Sequence, residues 1–423
     1  MCKFPAELTA SSKGLILSVS PHTYYRHPLE TLHFSMIKIG IIGLGNIARQ
    51  HISNLLEDTV CHAELTAVCS RSKPEDLHQL AKNQQVQWFS DYKSLLNSGT
   101  CDAVIVATPS YTHLEIGLAA LAAGIHVLME KPMAMTVGEA RQLAAQARSA
   151  ECRDRPLLGV MLNQRMDPLY RLMKQLLDQG DIGSITRTHW TMTNWFRPEV
   201  YFRVSDWRAT WRGEGGGLLL NQCIHNLDIF QWLCSMPVSL QAHCEFGKYH
   251  PIEVEDEATA FLQYSNGATG VFVGSSGEAP GFNRLEIVGD GGSLVFDGTQ
   301  LLLTKNQPST SEYCRTTTEM FGTPKSVTTD ITPDRSSNQH AAILRNFVAA
   351  INGDEALIAS AEDGIHSLAF ANAMLLSSWT NGQVQLPLDS ATYQTHLNER
   401  IAHSSLRSAE NIKVDIDMSK SFR

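Results

Sequence analysis

From residue 37 onward, short continuous apolar runs alternate with segments of helical patterning, and this alternation limits the folds that the chain can adopt. The runs "IKIGII" at 37–42, "DAVIVAT" at 102–108 and "HVLM" at 126–129 are each the length of one buried strand. Strands that are apolar on both faces and separated by helices indicate a parallel sheet covered on both sides. We therefore expect an N-terminal doubly wound α/β domain.

The pattern changes after about residue 159. Segments such as "SLQAHCEF", "ATAFLQYS" and "ATGVFVGSS" show partial alternation and are separated by turns such as "SNG" and "GDGG". Hairpin-connected strands of this kind predict an α+β domain with an open, mostly antiparallel sheet that packs on helices. We expect a surface loop at 306–337, which is rich in Ser, Thr and Pro, and helices at 341–351 and 360–379.

The length of 423 residues is too great for one ordinary core, so the two textures are assigned to two domains. The predicted doubly wound α/β domain spans residues 36–158, and the second domain spans residues 159–395. Residues 1–35 are expected to be a disordered extension or the product of an upstream start codon. Residues 396–423 are expected to be a C-terminal tail.

The bulk composition excludes several partners. The chain has 34 basic and 43 acidic residues, a net charge of −9, which argues against nucleic acid or an anionic membrane surface as a partner. Its nine cysteines include no C-x-x-C pair, which favours reduced thiols in a cytoplasm over a disulfide framework. No apolar run reaches the roughly 18 residues that a membrane span needs.

The segment "GLGNIA" at 43–48 has the G-x-G-x-x-A form between a strand and a helix. Gly43 permits a tight turn, Gly45 lets the backbone approach a pyrophosphate, and the N–H groups at Asn46 and Ile47 open the helix. The pattern predicts a dinucleotide site. The alternative is a glycine turn that serves chain topology alone.

The residues after the second strand bear on which dinucleotide is bound. That strand ends "VCSRS", with Ser70 and Arg71 and no carboxylate before Glu75. An acid here would bind the ribose 2′-OH of NAD, whereas a hydroxyl and a guanidinium fit a 2′-phosphate. We therefore predict NAD(P) with a preference for NADP, the alternative being an Arg71 that is solvated or stacked on adenine.

The segment "ATPSYTH" at 107–113 ends an apolar strand at the carboxyl edge of the sheet, where open α/β sheets bind ligands. Thr108, Pro109 and His113 are predicted to line the nicotinamide side of the cofactor. His113 fits equally well as an ordinary first residue of the following helix.

The segment "MEKP" at 129–132 places Glu130 and Lys131 at the end of another buried strand, with Pro132 restricting the local backbone. Glu130 and Lys131 are predicted beside the cofactor. A lysine there can donate a hydrogen bond to a substrate oxygen and stabilise an alkoxide. The alternative is a lysine that extends to solvent from a strand end.

The segment "GEGGGLLLNQCIHNLDIFQWL" at 213–233 follows its glycines with a helical register. Asn221 and His225 are four residues apart on one predicted face, with Asp228 one turn further. His225 is placed to give and accept a proton. Taken alone, such a histidine is more often a satisfied core or surface residue.

In this order, the GxGxxA turn, "ATPSYTH", "MEKP" and the glycines followed by Asn, His and Asp resemble the Gfo/Idh/MocA family of oxidoreductases. The resemblance covers about residues 36–395. It implies a Rossmann domain and an α/β domain whose sheet often builds an oligomer interface. It also implies that Lys131 and His225 form the catalytic pair. Many members have aspartate where this chain has Asn221, whose amide cannot ionise and is therefore expected to orient substrate.

A segment rich in aromatic residues and arginine, at 195–212, is predicted to contact substrate because aromatic faces stack on sugars and guanidinium groups bind hydroxyls or carboxylates. The alternative is a core or subunit contact. The predicted substrate ligands are Asn163, Arg165, Trp195, Arg197, Trp207, Arg208, Asn221 and His225. The acidic run at 255–257 is expected to be solvated, and no metal site is predicted.

These features together predict a cytoplasmic NAD(P)-dependent dehydrogenase or reductase that acts on a secondary alcohol or ketone of a sugar, inositol or anhydrosugar. The expected assembly is a homodimer or homotetramer through the sheet of the second domain. Two alternatives stay open: a glycosidase that uses bound NAD for transient oxidation, and a non-catalytic sugar or dinucleotide sensor.

Overall fold

The computed structural model describes residues 35–410 except 58, 81, 83, 84 and 150–154, together with residues 412 and 414. The predicted extension at 1–35 lies outside the described residues except for Ser35, and so does most of the chain beyond 410. The described part contains one sheet within residues 37–160 and a second within residues 185–385.

The first sheet is parallel throughout. Its strands are β1 (Ile37–Ile42), β2 (Ala63–Cys69), β3 (Gln87–Phe89), β4 (Ala103–Val106), β5 (His126–Met129) and β6 (Leu158–Val160). They lie in the order β3-β2-β1-β4-β5-β6, so the chain winds outward from β1 first in one direction and then in the other. This confirms the doubly wound sheet, and the reversal beside β1 places a crevice at the carboxyl ends of β1 and β4.

Helices cover both faces of this sheet. They are α1 (Asn46–Leu56), α2 (Leu77–Leu80), α3 (Tyr92–Leu96), α4 (His113–Ala122) and α5 (Val137–Ser149). In α1, Ala48, Ile52 and Leu55 are buried at intervals of four and three residues, as expected for one apolar helix face. The polar helix expected at 74–83 is only one turn, because few apolar residues anchor it.

The second sheet is mostly antiparallel, as predicted. Its strands are β7 (Ile185–Met192), β8 (Ser239–Phe246), β9 (Glu255–Gln263), β10 (Thr269–Ser275), β11 (Asn283–Gly289), β12 (Gly292–Phe296), β13 (Leu301–Gln307), β14 (Lys325–Asp330) and β15 (Val384–Gln385). Their order is β14-β13-β12-β11-β7-β10-β9-β8-β15, and the β7–β10 pair is parallel.

One face of the second sheet packs against helices and the other is open. The helices in this part of the chain are α6 (Pro168–Asp178), α7 (Glu199–Arg203), α8 (Trp211–Glu214), α9 (Leu218–Asn221), α10 (Ile224–Cys234), α11 (Thr310–Thr316), α12 (Gln339–Ile351), α13 (Ala361–Thr380) and α14 (Ser390–Ala402). Phe230 of α10 contacts Trp190 of β7, Phe272 of β10 and Phe370 of α13. No helix among the described residues is long and apolar enough to cross a bilayer.

Helix α12 belongs to the later half of the chain but packs on the first sheet. Its buried side chains Ile343, Leu344, Phe347 and Val348 lie in the same apolar cluster as β1, β4 and β5. The ring of Phe347 also lies close to Gly159 of β6. The apolar core around the first sheet is therefore completed by residues from the later half of the chain.

Two expectations about secondary structure were wrong. The segment at 306–337, expected to be a loop, contains α11 and β14. Strand β14 pairs with β13 at the sheet edge, and all six of its residues are exposed, so no apolar alternation marked it in the sequence. The expected tail boundary at 396 falls inside α14, where Tyr393 and Leu397 are buried.

Candidate active site

The turn between β1 and α1 is shaped for a phosphate. Gly43 has φ +95°, and a Cβ there would lie 2.6 Å from the carbonyl oxygen of Ala107. Gly45 caps α1, has no neighbouring atom within 4 Å of a Cβ position, and leaves the first helical turn without a side-chain cap. Its open N–H groups and the positive helix end fit an anionic pyrophosphate. Asn46 is exposed and Ile47 is half-buried beside it.

The end of β2 presents a hydroxyl followed by an exposed cation. The Ser70 hydroxyl donates to the carbonyl oxygen of Ser72 at 2.7 Å and accepts from Trp88 Nε1 at 3.1 Å, so it is largely used within the turn. Arg71 is exposed. The nearby Asp76 forms an ion pair with Arg49 of α1 at 2.9 Å.

His113 has a different position from the one we expected. It is 1% exposed, with Nδ1 2.9 Å from the carbonyl oxygen of Pro132 and Nε2 2.8 Å from that of Thr108. Both ring nitrogens are therefore occupied beneath the site, and the ring joins the ends of β4 and β5. The prediction that His113 contacts the cofactor is corrected on this ground, whereas Thr108 and Pro109 stay half-exposed at the strand end.

Glu130 is held by a histidine that the sequence reasoning missed. His51 Nε2 lies 2.7 Å from Glu130 Oε1, and both side chains are buried. Burial alone would raise the pKa of Glu130, but the His51 hydrogen bond and the charges of His51, His340 and Lys131 lower that pKa to about 2. The signal for His51 was its position on the apolar face of α1.

Lys131 reaches from the first sheet to the second domain. Its Nζ donates to the backbone carbonyl oxygen of Asn221 at 2.8 Å. Burial lowers the pKa of Lys131, opposed by nearby Tyr201, Glu130 and Glu214. The amine is therefore easier to deprotonate than a surface lysine.

His225 is 7% exposed, and its Nδ1 has no hydrogen-bond partner among the described residues. Burial holds the pKa of His225 well below its usual range, and the charges of Lys131 and His340 lower that pKa further. A neutral imidazole can accept a proton at physiological pH. Because the charge of Lys131 acts on His225, the two side chains share one environment, although they lie far apart in the sequence.

The helix expected to carry both Asn221 and His225 is interrupted. Helix α9 ends at Asn221 and α10 begins at Ile224, so the two residues lie on successive short helices. The Asn221 amide donates to Glu214 Oε1 and accepts from the Tyr201 hydroxyl at 3.4 Å. Neither Glu214 nor Tyr201 was singled out from the sequence.

The aromatic and arginine-rich segment divides into a buried part and a site-facing part. Trp195 is 3% exposed and donates from Nε1 to Asn226 Oδ1 at 2.9 Å, so its predicted substrate contact is corrected to a core position. The Arg197 guanidinium lies 5.3 Å from the Trp195 ring and 5.2 Å from the Tyr201 ring. Tyr201 lies between the two parts, because its ring is close to Arg197 and also to Arg208.

Arg208 lies nearer to the catalytic candidates. Its guanidinium is 4.2 Å from the Tyr201 ring and 5.1 Å from the Trp207 ring, and it donates to the Tyr201 carbonyl oxygen at 3.2 Å. Its positive charge lowers the pKa values of both Lys131 and Glu214. The rings of Tyr201 and Trp207 therefore hold a cation beside the lysine.

Arg165 was predicted to bind substrate, but its donors are already used. Its guanidinium makes two hydrogen bonds to Asp228, at 2.8 and 2.7 Å, and contacts Asp363 at 2.9 Å. The ion pair with Asp228 is almost fully buried. Arg165 therefore joins the 3-10 turn after β6 to α10 and α13, and the prediction is corrected. Asn163 in the same turn donates to Gln339 at 3.0 Å, and its Oδ1 is buried without a partner in the described structure.

The acidic run expected to be solvated begins with two fully buried carboxylates. Glu255 accepts from the N–H groups of Gly217 and Leu219 at 2.9 Å, and burial raises its pKa to about 7. Asp256 accepts from the backbone of the loop at 248–250. Within the described residues, no group of three or more His, Cys, Asp and Glu side chains is arranged to hold a metal ion.

A doubly wound sheet with an open glycine turn before α1 defines a dinucleotide-binding protein. The family model described as "Oxidoreductase family, NAD-binding Rossmann fold" matches residues 37–155, and the model "GFO/IDH/MocA C-terminal domain" matches residues 170–295. The chain belongs to the Gfo/Idh/MocA family: it is an NAD-binding oxidoreductase of CH–OH groups.

Named relatives agree with that assignment. The chain is 30% identical to inositol 2-dehydrogenase 2 of Saccharopolyspora erythraea over 81% of this chain and 93% of the relative. It is 26% identical to myo-inositol 2-dehydrogenase of Thermotoga maritima over 64% and 79%. The structure of the WlbA dehydrogenase from Bordetella pertussis with NADH and UDP-GlcNAcA matches with TM-score 0.69 and 25% identity, over 84% and 99% of the two chains.

Proposed function

We propose that the protein transfers a hydride between the nicotinamide of NAD(P) and a secondary alcohol or ketone of a sugar, inositol or anhydrosugar. The observation that supports this proposal is the setting of the two side chains. Lys131 is half-buried and donates to the carbonyl oxygen of Asn221, and its charge lowers the pKa of the buried His225. The bound nicotinamide supplies the hydride acceptor or donor.

His225 and Lys131 have different roles in the proposed reaction. In oxidation, neutral His225 accepts the hydroxyl proton, which its low pKa and unpartnered Nδ1 permit. Lys131 donates a hydrogen bond to the substrate oxygen and stabilises the negative charge that develops there. The Asn221 carbonyl holds the ammonium group in place for this role. In reduction the proton moves in the opposite direction.

The surroundings support a polyhydroxylated substrate. Tyr201, Trp207 and Arg208 form a layered aromatic and cationic surface near Lys131, and such surfaces bind the C–H faces and hydroxyls of sugars. Named relatives that act on inositols and on 1,5-anhydro-D-fructose support the same class.

For the cofactor we propose a preference for NADP over NAD. Exposed Arg71 follows β2 where an NAD-selective site would have a carboxylate, and Asp76 is already paired with Arg49. A Bacillus subtilis relative that is 27% identical is named scyllo-inositol 2-dehydrogenase (NADP(+)) IolW. Neighbouring structures hold NADH, so the two cofactors need a direct comparison.

For assembly we propose a homodimer or homotetramer that buries the open face of the second sheet. This face carries Phe261, 46% exposed, with Val271 and Gln241 beside it on the neighbouring strands. An exposed aromatic side chain on a wide, open sheet fits a subunit interface. The free cysteines among the described residues support a reducing cytoplasm as the location.

The test is a screen of polyols, inositols and anhydrosugars with NAD and NADP, read by nicotinamide absorbance. Reduced cofactor in proportion to substrate consumed is the expected result. Glycoside hydrolysis with tightly held cofactor and no net reduced cofactor would indicate the glycosidase alternative. Ligand binding by calorimetry with no turnover of any compound would indicate a sensor and overturn the proposal.

A further inference from the structure

Glu214 is a buried carboxylate beside the site that the proposed chemistry does not use. It is the last residue of α8, is 4% exposed, and precedes Gly215, whose φ is +72°. Its Oε2 accepts from the Ala209 N–H at 2.6 Å, and its Oε1 accepts from the Asn221 amide. An acid removed from water in this way costs stability unless its hydrogen bonds and charge have a partner.

The partner that links Glu214 to the site is Asn221. Its side-chain amide faces Glu214, while its backbone carbonyl oxygen accepts from Lys131 Nζ at 2.8 Å. The Tyr201 hydroxyl donates to the other end of the same amide at 3.4 Å. One short chain of contacts therefore runs from a carboxylate through an amide residue to the amine.

Electrostatic interactions connect the same residues. Burial raises the pKa of Glu214 overall, and the positive charges of Arg208 and Lys131 oppose that rise. Burial lowers the pKa of Lys131, and the negative charge of Glu214 opposes that fall. Tyr201 and Glu130 also act on this cluster, because both raise the pKa of Lys131. The charge of Glu214 in turn raises the pKa of Glu255.

A small cavity behind these residues separates the two buried glutamates. It has a volume of about 10 Å³ and is lined by Glu214, Asn221, Gln222, Glu255 and Ser276 among others. Phe202, Leu218 and Ile252 also line it, so part of its wall is apolar and water screens a charge on Glu214 less than it would at the surface.

We infer that Glu214 is a positioning residue for the hydride transfer: its carboxylate fixes Asn221, and through Asn221 it holds Lys131 at the substrate oxygen as an ammonium group. The inference rests on the proposed function for Lys131. It also accounts for the amide at position 221. Asn221 cannot ionise, and the carboxylate that it contacts is supplied by Glu214, seven residues earlier.

The direct test replaces Glu214 with glutamine and measures the pKa of Lys131 without substrate. The pH dependence of Lys131 acetylation by trace acetic anhydride, mapped by mass spectrometry, reports this pKa. Loss of the negative charge is expected to lower it by about one unit. In a turnover assay the basic limb of the kcat profile should move to lower pH by the same amount.

Glu139→Gln is the matched control, because Glu139 is a half-buried glutamate that accepts backbone N–H groups, of Met135 and Thr136, at the start of a helix, and burial raises its pKa too. It should leave the Lys131 pKa and the basic limb unchanged. The double variant Glu214→Gln/Asn221→Asp moves the charge to the neighbouring position and should restore both. An unshifted Lys131 pKa in Glu214→Gln overturns the inference.

Should Glu214→Gln fail to fold, Glu214→Asp takes its place. The shorter acid keeps the charge but cannot reach both Ala209 and Asn221, so kcat is expected to fall about ten- to a hundredfold with the basic limb at its native pH. Native kcat in this variant contradicts positioning. If no polyol is turned over, the acetylation measurement still decides the role of Glu214, and the failure then belongs to the proposed function.

Discussion

At the scale of single residues, the site depends on Lys131 and His225, whose pKa values both differ from those of the same side chains in water. Burial lowers the pKa of Lys131 and, more strongly, that of His225. Burial therefore favours the neutral form of His225, whereas the charges of Tyr201, Glu130 and Glu214 favour the ammonium form of Lys131. These opposite preferences fit the proposed roles of proton acceptor and hydrogen-bond donor.

Lys131→Ala and His225→Ala are each expected to reduce kcat by at least about a thousandfold, because each removes a group that acts in the transition state. Cofactor affinity, measured by fluorescence titration, should stay within a few-fold of the wild type because the glycine turn is unchanged. Near-normal kcat in either variant would refute the assignment of roles.

Arg71→Ala should weaken NADP more than NAD, by about tenfold, because a guanidinium–phosphate pair contributes only to the phosphorylated cofactor. The dissociation constants of both cofactors give the ratio directly. Lys73→Ala, which removes an exposed cation two residues away, is the control and should leave the ratio of the two dissociation constants at its wild-type value. An equal loss for both cofactors would remove the proposed preference.

Arg165→Ala is expected to destabilise the fold by about 3–5 kcal/mol, since it leaves the buried carboxylate of Asp228 without its cation. Urea unfolding followed by circular dichroism measures the change. Arg148→Ala, which removes an exposed ion pair with Glu362, should change stability far less. A variant that folds normally but has a raised KM would return Arg165 to the substrate site.

The residues that the sequence predicts best are those fixed by backbone geometry. Gly43, Gly45 and Lys131 stand at the ends of strands whose apolar pattern is plain, so their places in the fold follow from spacing. Glu214 and Tyr201 could not be placed in this way, because their contacts depend on how two separate helices meet. Arg165 was misjudged because its partner Asp363 lies 198 positions later in the sequence.

At the scale of elements, a four-residue helix near the site depends on a single acid. Helix α9 has four residues, and Glu255 from β9 caps its N-terminus through the N–H groups of Gly217 and Leu219. A Cβ at Gly217 would lie 2.4 Å from the Glu255 carbonyl oxygen, so the close approach requires glycine. Asn221 and its contact with Lys131 are thereby fixed by a strand of the second sheet.

The burial of Glu255 predicts a pH-dependent stability, because burial raises its pKa while the hydrogen bonds from Gly217 and Leu219 oppose that rise. The folded-state pKa of Glu255 is raised from 4.5 to about 7, so the folded protein binds this proton more tightly than the unfolded chain does. Its contribution is complete below pH 4.5 and is lost as the pH rises to about 7, a change of about 3 kcal/mol. Unfolding free energies of wild type and Glu255→Gln across this range should differ in slope.

Glu257→Gln is the control for that measurement, because Glu257 is on the same strand but has a lowered pKa. Its contribution has the opposite sign: it is present above the usual glutamate pKa and is lost on acidification. Parallel slopes for wild type and Glu255→Gln would contradict the raised pKa of Glu255.

Elements with a buried face were predicted well, and elements without one were not. Strands β1, β4 and β5 are apolar throughout and were found within a residue or two. Strand β14 has no buried side chain, and its existence depends on backbone pairing with β13. The break between α9 and α10 was also invisible, because "LLLNQCIHNL" has the helical spacing of one continuous helix.

At the scale of the whole molecule, the open face of the second sheet is the surface that a single chain leaves uncovered. Phe261→Asp places a charge in the middle of that face and should dissociate the proposed oligomer, as measured by sedimentation velocity. Met320→Asp, at an 87% exposed position between α11 and β14, is the control. A wild-type chain that stays monomeric at all concentrations would contradict the proposed interface.

The return of α12 to the first sheet has a consequence for biosynthesis. Phe347 and its neighbours fill the first core, so the ribosome must complete almost the whole second domain before the nucleotide-binding half can close. A nascent chain that ends at residue 158 exposes the apolar surface that α12 later covers, and such surfaces bind chaperones or aggregate. The two halves therefore mature together, and fragments of the first half made alone should be insoluble.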